Sequence, residues 1–372
     1  MKTYQFSQIG KRSNNEDSLG ENGALLTVCD GMGGHNFGER ASAFVVEQML
    51  SKNTQQMPIG KNEIQKQLHD VQVEINELLE AEQELENMGT TFTGIFRTPD
   101  VWYAAHIGDS RIYLFRPSEK KLWHTWDHSF VGELMRTKEI TIEAGRFHPL
   151  SNRISKAIIA KKNKIPALAS IVKIDELKVG DILLLCSDGV VEAWGDMELT
   201  RLFADDSLSF EQKCDKIAQQ CNAISKDNNT AIIAEIEDQD AFSYGTNEEL
   251  DWTTFDEVED DYKRYLKDTN PTENDNQTSS EPIELNLQED EKQNDTTKEN
   301  NKRHFNSNLL FVVGISALAT IILVVLFFLF KKPNNENNEN KDDTTPIKEM
   351  QQKNTNTKPE PDTTTIVLLE NT

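Results

Sequence analysis

The chain has 372 residues, with 39 Lys+Arg against 63 Asp+Glu and a formal charge of −24. That length allows one large domain or two smaller ones, and that charge excludes nonspecific attraction to nucleic acid as a working principle. Four cysteines, Cys29, Cys186, Cys214 and Cys221, form no CxxC pair and read as small buried thiols of a reducing compartment.

In chain order, Met1–Gly10 is polar and lacks the apolar segment of an export signal, which leaves the N-terminal part in the cytoplasm. The run Ala24–Cys29 predicts an apolar strand ending on Asp30, followed by glycines at 31, 33, 34 and 38. Residues 38–52 predict a helix. Ile64, Leu68, Val71, Ile75, Leu78 and Leu79 recur at helical spacing and predict a long amphipathic helix over about 61–86. Strand-like runs follow at Thr91–Arg97, Trp102–Ile107, Arg111–Phe115, Ile182–Cys186 and Ala231–Ile236. Thr98-Pro99-Asp100 and Gly108-Asp109-Ser110 are turn signals that join the first of these as hairpins. Hairpins imply antiparallel sheet, and long helices beside it imply an α+β layered domain over residues 1–238 with helices outside the sheets.

Residues 239–308 change character. Apart from a short helix around Asp256–Lys267 they are rich in Asp, Glu, Asn, Gln and Thr. Such a segment buries too little apolar surface to offset its chain entropy, and it reads as an acidic flexible linker. Leu309–Phe330 then runs for 22 residues without a charge, long enough as a helix to span a hydrocarbon core of ~30 Å. Lys302 and Arg303 before it and Lys331 and Lys332 after it nearly balance, so the charge rule sets no orientation. The lack of an export signal does, and the expectation is a single-pass cell-membrane protein with its N-terminal domain cytoplasmic. Residues 331–372 form a polar, low-complexity tail to which no activity is assigned.

The carboxylates of the first domain share one setting. Asp30 and Asp188 each follow an apolar strand and precede a glycine; Asp109 sits in a turn after a strand; Asp227 precedes one; Glu16-Asp17 lie in "RSNNEDS". A single acid there is an ordinary turn residue. Several converging at one rim would repel and require a counter-charge. Hard divalent cations choose oxygen ligands, so Mg²⁺ or Mn²⁺ is expected rather than zinc, and Gly31 leaves a backbone carbonyl accessible as a further ligand. Competing motifs fail. Asn36 occupies the third glycine's place of a dinucleotide loop, no GxxxxGK[ST] occurs, and in "HTWDH" Thr125 follows His124 where a metalloprotease needs Glu. No G-x-S-x-G elbow supplies a nucleophile.

The ordered segments "RSNNEDS", "VCDGMGGHNFGERAS", "MGTTFTGIF", "AAHIGDSRIYLFR", "TWDHSFVGELM", "HPLSNRISKAI", "VGDILLLCSDGVVEAW" and "DNNTAIIAEI" resemble those of type-2C, metal-dependent serine/threonine protein phosphatases, above all the bacterial branch. The resemblance covers nearly all of residues 1–238. It implies a two-sheet antiparallel β-sandwich flanked by helices, in α-β-β-α layers, with a two-metal centre at one end. It implies that Asp30 bridges both Mn²⁺ or Mg²⁺ ions, that Gly31 lends its carbonyl to one, and that Asp188 and Asp227 hold the other. By the same resemblance, Glu16 and Asp17 sit beside the site, with Asp17 gripping a metal-bound water, and Arg12 binds phosphate. Asp109 and Asp188 match the acids for a third, looser metal, and Gly132–Pro149 matches a flap that shapes substrate access. Met32 stands where animal relatives carry a histidine proposed as general acid, and His35 lies three residues on. The implied partners are phosphorylated proteins, including a membrane serine/threonine kinase and its substrates. The rival reading is a catalytically inactive domain of the same fold that binds phosphoproteins or senses a ligand.

Overall fold

The computed structural model describes residues 1–33, 37–161 and 166–269. His35, the linker beyond Thr269, the apolar run Leu309–Phe330 and the tail lie outside the described residues. Among the described residues, no helix is long and apolar enough to cross a membrane.

From the N-terminus come β1 (Lys2–Gln8), β2 (Asp17–Glu21) and β3 (Leu25–Met32), then α1 (Gly38–Lys52) and α2 (Lys61–Ala81). A run of strands follows: β4 (Gly89–Thr90), β5 (Phe92–Arg97), β6 (Trp102–Ile107), β7 (Arg111–Arg116) and β8 (Lys121–His124). Two short helices, α3 (Phe130–Arg136) and α4 (Ile142–Arg146), precede β9 (Ile158–Ile159), β10 (Ser170–Ile174), β11 (Glu176–Leu177) and β12 (Ile182–Cys186). Then α5 (Asp188–Ala193), α6 (Asp196–Phe203) and α7 (Phe210–Ile224) lead into β13 (Asn229–Glu235). Last come β14 (Phe242–Ser243), β15 (Thr253–Thr254) and α8 (Phe255–Thr269).

One sheet has the order β1-β13-β12-β7-β8-β15. The other runs β10-β6-β5-β3-β4-β9, with β2 also paired to β3, and β11 and β14 make a separate ribbon. The alternation along β12 shows how the layers arise. Leu183 and Leu185 face the opposite sheet, where they meet Leu26, Val28 and Ile95. Ile182, Leu184 and Cys186 face the outer helices and pack with Phe203, Cys214 and Ile217. Both faces are covered, so the strand is apolar throughout. Across the sandwich, Leu25, Cys29, Phe92 and Phe96 lie under Val45 and Met49 of α1 and Ile64, Leu68, Val71 and Ile75 of α2. The helical stripe therefore seals that outer face, each buried Leu or Ile contributing roughly 1.5–3 kcal/mol. The observed layers are those expected, and all four cysteines are free and buried.

Three expectations need correction. β3 does not stop at Cys29: it runs through Asp30 because Gly31 and Met32 pair with Thr90 and Gly89 of β4. The long helix ends at Ala81 and a 3₁₀ turn, Gln83–Leu85, follows. The fold also continues past residue 238. Thr253 and Thr254 pair with Leu122 and Lys121, and Leu250 and Val258 are buried, so 239–269 is part of the domain and not linker. Its few apolar residues are hidden among acids, yet they are spaced to meet the sheet edge; the helix around Asp256–Lys267 is α8.

Candidate active site

The loops and strand ends at one rim of the sandwich bring seven of the eight expected residues to a cavity of about 460 Å³: Arg12, Glu16, Asp30, Gly31, Asp109, Asp188 and Asp227. The eighth, Asp17, is buried just behind. Register explains the first pair, since β2 and β3 set Asp17 directly opposite Asp30. The Asp30 backbone is clamped to Thr91, the residue between β4 and β5: its N–H donates to Thr91 Oγ1 at 2.9 Å, and its carbonyl accepts from Thr91 N at 2.9 Å. Asp188 opens α5, and Asp109 lies in the turn between β6 and β7. Met32 also lines the cavity.

Gly31 has a packing reason as well as the chemical one. A methyl group there would lie 2.3 Å from the Gly38 carbonyl oxygen and 2.4 Å from that of Glu16. Gly189 is under the same demand from the loop of Asp227, with the Asn228 carbonyl oxygen at 2.0 Å from such a methyl. The glycines beside the aspartates thus let separate backbone segments close around the acids.

Charge is crowded at this rim. Burial, then repulsion from Asp17, Asp188 and Asp109, pushes Asp30 well above the usual carboxylate range. Asp188 is raised likewise by burial, then by Asp109 and Asp227. Asp109 is pushed up to about 7 by burial and then Asp127. Asp17 rises to about 6 through burial, although a hydrogen bond from Ser187 Oγ at 2.7 Å opposes the rise. Burial and Glu39 raise Glu16. Among the described residues lining the cavity, Arg12 is the one Lys or Arg; it pairs with Asp227 at the exposed edge.

Two oxygens test whether a cation fits. Asp188 Oδ1 and Asp17 Oδ1 are buried and have no hydrogen-bond partner, which is costly unless something positive meets them. An all-oxygen donor set under mutual repulsion suits Mg²⁺ or Mn²⁺. Among the described residues no three His, Cys, Asp or Glu side chains are gathered tightly enough to wrap an ion by themselves. The acids instead face a shared cavity, so water and backbone carbonyl would complete any shell, as is usual for Mg²⁺.

Residues without a sequence motif of their own hold the rim together. The Asn228 amide donates to the Ile9 and Asn14 carbonyls at 2.9 and 2.8 Å and accepts from Glu16 N at 2.9 Å, tying the N-terminal loop to that of Asp227. Glu192 Oε2 accepts from Lys226 N at 2.8 Å and from Asp227 N at 3.4 Å. Sequence reasoning misses both, although they stand within "DNNT" and "SDGVVE" beside the aspartates that draw the eye. Neither His124 nor His128 reaches the cavity.

Residues 5–235 match the family model "Protein phosphatase 2C". The serine/threonine phosphatase Stp of Listeria monocytogenes is 31% identical over 232 residues, 60% of this chain and 90% of that protein. The solved structure of the serine/threonine phosphatase Stp1 from Staphylococcus aureus is similar with a TM-score of 0.56 at 31% identity, over 63% of this chain and 94% of that one. The catalytic domain of the serine/threonine protein phosphatase PstP, solved in complex with two manganese ions, gives a TM-score of 0.54 at 27% identity, over 64% of this chain and 98% of that one.

Proposed function

The chain belongs to the protein phosphatase 2C family, and from that premise we propose that it is a membrane-anchored, metal-dependent phosphatase that hydrolyses phosphoserine and phosphothreonine in proteins. The observation that carries the metal dependence is the set of repelling carboxylates with orphaned oxygens beneath one arginine. Asp30, Asp188, Asp227 and the Gly31 carbonyl would hold the ions, with Asp109 and Asp188 available to a looser third. When bound, Mn²⁺ or Mg²⁺ supplies a water of lowered pKa and positive charge opposite the phosphoryl oxygens.

The chain's own side chains do the rest. Arg12 is half-exposed and lies where a dianionic phosphate would enter; its planar fork matches two phosphate oxygens. Asp17, fixed by Ser187 Oγ, keeps its second oxygen free as an acceptor for a water proton. Asn228 keeps the Asp227 loop against the N-terminal loop and Glu192 keeps it against α5, so that Arg12 and the acids stay in one geometry. Met32, at the place of the animal relatives' histidine, offers no proton to the leaving serine oxygen.

The uncharged run Leu309–Phe330 supports anchoring, and the proposal places the phosphatase on the cytoplasmic side. Tethering there raises the local concentration of enzyme near membrane-bound phosphoproteins, including a serine/threonine kinase. The test is Asp30→Asn, assayed for phosphate release from a phosphothreonine peptide in Mn²⁺, with circular dichroism as a folding control. Turnover should drop by at least about a hundredfold while the fold persists; near-normal turnover would overturn Asp30 as a metal ligand, and a wild-type chain with no turnover in Mn²⁺ would favour an inactive phosphoprotein-binding domain.

A further inference from the structure

A second cleft, of about 700 Å³, opens beside the catalytic cavity and shares Arg12, Asp109, Asp188 and Asp227 with it. Its opposite wall is Gly145, Arg146, Phe147 and His148, the end of α4 and the residues after it. A substrate whose phosphate reaches the acids must lay its flanking residues along this wall. α4 is only five residues long, too short to hold its own position. Met135 of α3 lies against Gly145 and Glu198 of α6 beside Arg146, but the first turn of α4 is held by α8, which begins twenty residues beyond the segment matched by the family model.

α8 is itself well fixed. Thr254 and Glu257 form a reciprocal cap: Glu257 N donates to Thr254 Oγ1 at 3.2 Å, and Thr254 N donates to Glu257 Oε2 at 2.8 Å. Val258 is buried, and Phe255 and Tyr262 pack on the helix-covered face of the first sheet. From that footing Asp261 Oδ2 accepts a hydrogen bond from Ile142 N at 2.8 Å, satisfying a first-turn N–H of α4. Thr141 Oγ1 takes another, from Ala144 N at 3.1 Å. One turn further along α8, the Tyr265 ring lies 6.5 Å from that of Phe147, a ring of the cleft wall. Phe147 in turn lies under the Arg146 guanidinium at 4.6 Å. Removing α8 would leave the Ile142 N–H without a partner and one side of Phe147 bare.

We propose that α8 is a brace that fixes the Ile142–His148 wall, with Asp261 as its positioning residue, and that it thereby selects phosphorylated polypeptides over small phosphate esters. The proposal rests on the phosphatase reading above. A small ester needs the acids and Arg12 alone. A phosphopeptide also needs the wall in place, and misplacing a substrate-positioning group by about 1 Å costs on the order of a hundredfold in rate.

The experiment uses the full chain and compares wild type, Asp261→Ala and Asp261→Asn, whose amide oxygen still accepts from Ile142 N. Two measurements are made: kcat/KM for a phosphothreonine peptide and for p-nitrophenyl phosphate in Mn²⁺, and amide hydrogen exchange over 141–148 without metal. For Asp261→Ala, kcat/KM for the peptide should fall about tenfold while that for the small ester stays within about twofold. Exchange over 141–148 should quicken, and Asp261→Asn should restore both. The brace is overturned if Asp261→Ala leaves exchange over 141–148 unchanged, or if both substrates lose activity in step with a lowered melting temperature. A wild-type chain that cleaves neither substrate overturns the phosphatase reading instead, and the exchange comparison still decides the brace.

Discussion

On the proposed function, Arg12 is the residue on which phosphate binding and metal affinity meet. Its guanidinium is paired with Asp227, and that carboxylate raises its pKa further, so it is a permanent cation at the edge of an acidic cavity. A phosphate entering there exchanges one anionic partner for another, a contact formed before the chemical step. Removing it should therefore act on ground-state binding. Arg12→Ala is expected to raise KM for a phosphopeptide by about tenfold, the worth of one charge-assisted contact, with kcat within about threefold. Steady-state kinetics at saturating Mn²⁺ checks this, and a fall in kcat at unchanged KM would contradict it. The acids are legible in the sequence because aspartate followed by glycine at a strand end is an uncommon thing to repeat. Asn228 and Glu192 are not, because an amide or carboxylate that serves backbone groups from distant loops has no local pattern. Their partners lie more than 200 residues away for Asn228 and about 35 for Glu192.

At the scale of elements, the segment between β8 and α3 joins the site to the sandwich through an imidazole pair. His128 and His106 stack with ring centroids 4.3 Å apart and planes 3° from parallel. His128 Nδ1 accepts from Gly108 N at 3.1 Å, so its proton is on Nε2, 2.8 Å from Ser170 Oγ. Its backbone N–H also donates to the Gly108 carbonyl at 2.9 Å, which fixes the turn that carries Asp109. Burial, then His106 and Lys156, pushes His128 down to about 3 from an ordinary 6.5. Protonation would also turn Nδ1 from acceptor to donor and break the bond to Gly108. Between pH 6.5 and 3 the unfolded chain thus binds a proton that the folded chain refuses, so stability is present above 6.5 and is lost as pH falls through that window. His128→Gln should flatten part of that loss. Urea unfolding midpoints at pH 7, 6, 5 and 4 report it, and parallel curves for the two proteins would refute it. Periodicity reveals β6 and β12 with the bounds read from the sequence, and misses β8, α3 and β10 beside this junction. It is silent on a histidine stack, which depends on β6 and a later loop meeting in space.

Over the whole molecule, the fold does not stop at residue 238 but continues at least to Thr269. Composition suggests 238 because acids and amides dominate the residues beyond it, and averaged hydropathy hides a few well-placed apolar groups. Leu250 is 5% exposed and Val258 4%. Trp252 lies against the Arg116 guanidinium at 5.1 Å, and Arg116 is itself held by Asp181 and Glu176. Losing two fully buried side chains alone costs about 3–6 kcal/mol, comparable with the roughly 5–15 kcal/mol that keeps a domain folded. Two fragments should therefore behave differently. Residues 1–269 are expected to unfold cooperatively and to cleave a soluble phosphopeptide at the rate of the full chain, while no longer sedimenting with membranes. Residues 1–238, although they contain every proposed metal ligand, are expected to melt at a markedly lower temperature. Calorimetry and membrane flotation on both fragments make the comparison. Equal melting temperatures would show that the segment after 238 adds nothing to the fold, and flotation of 1–269 would place membrane attachment within the globular part.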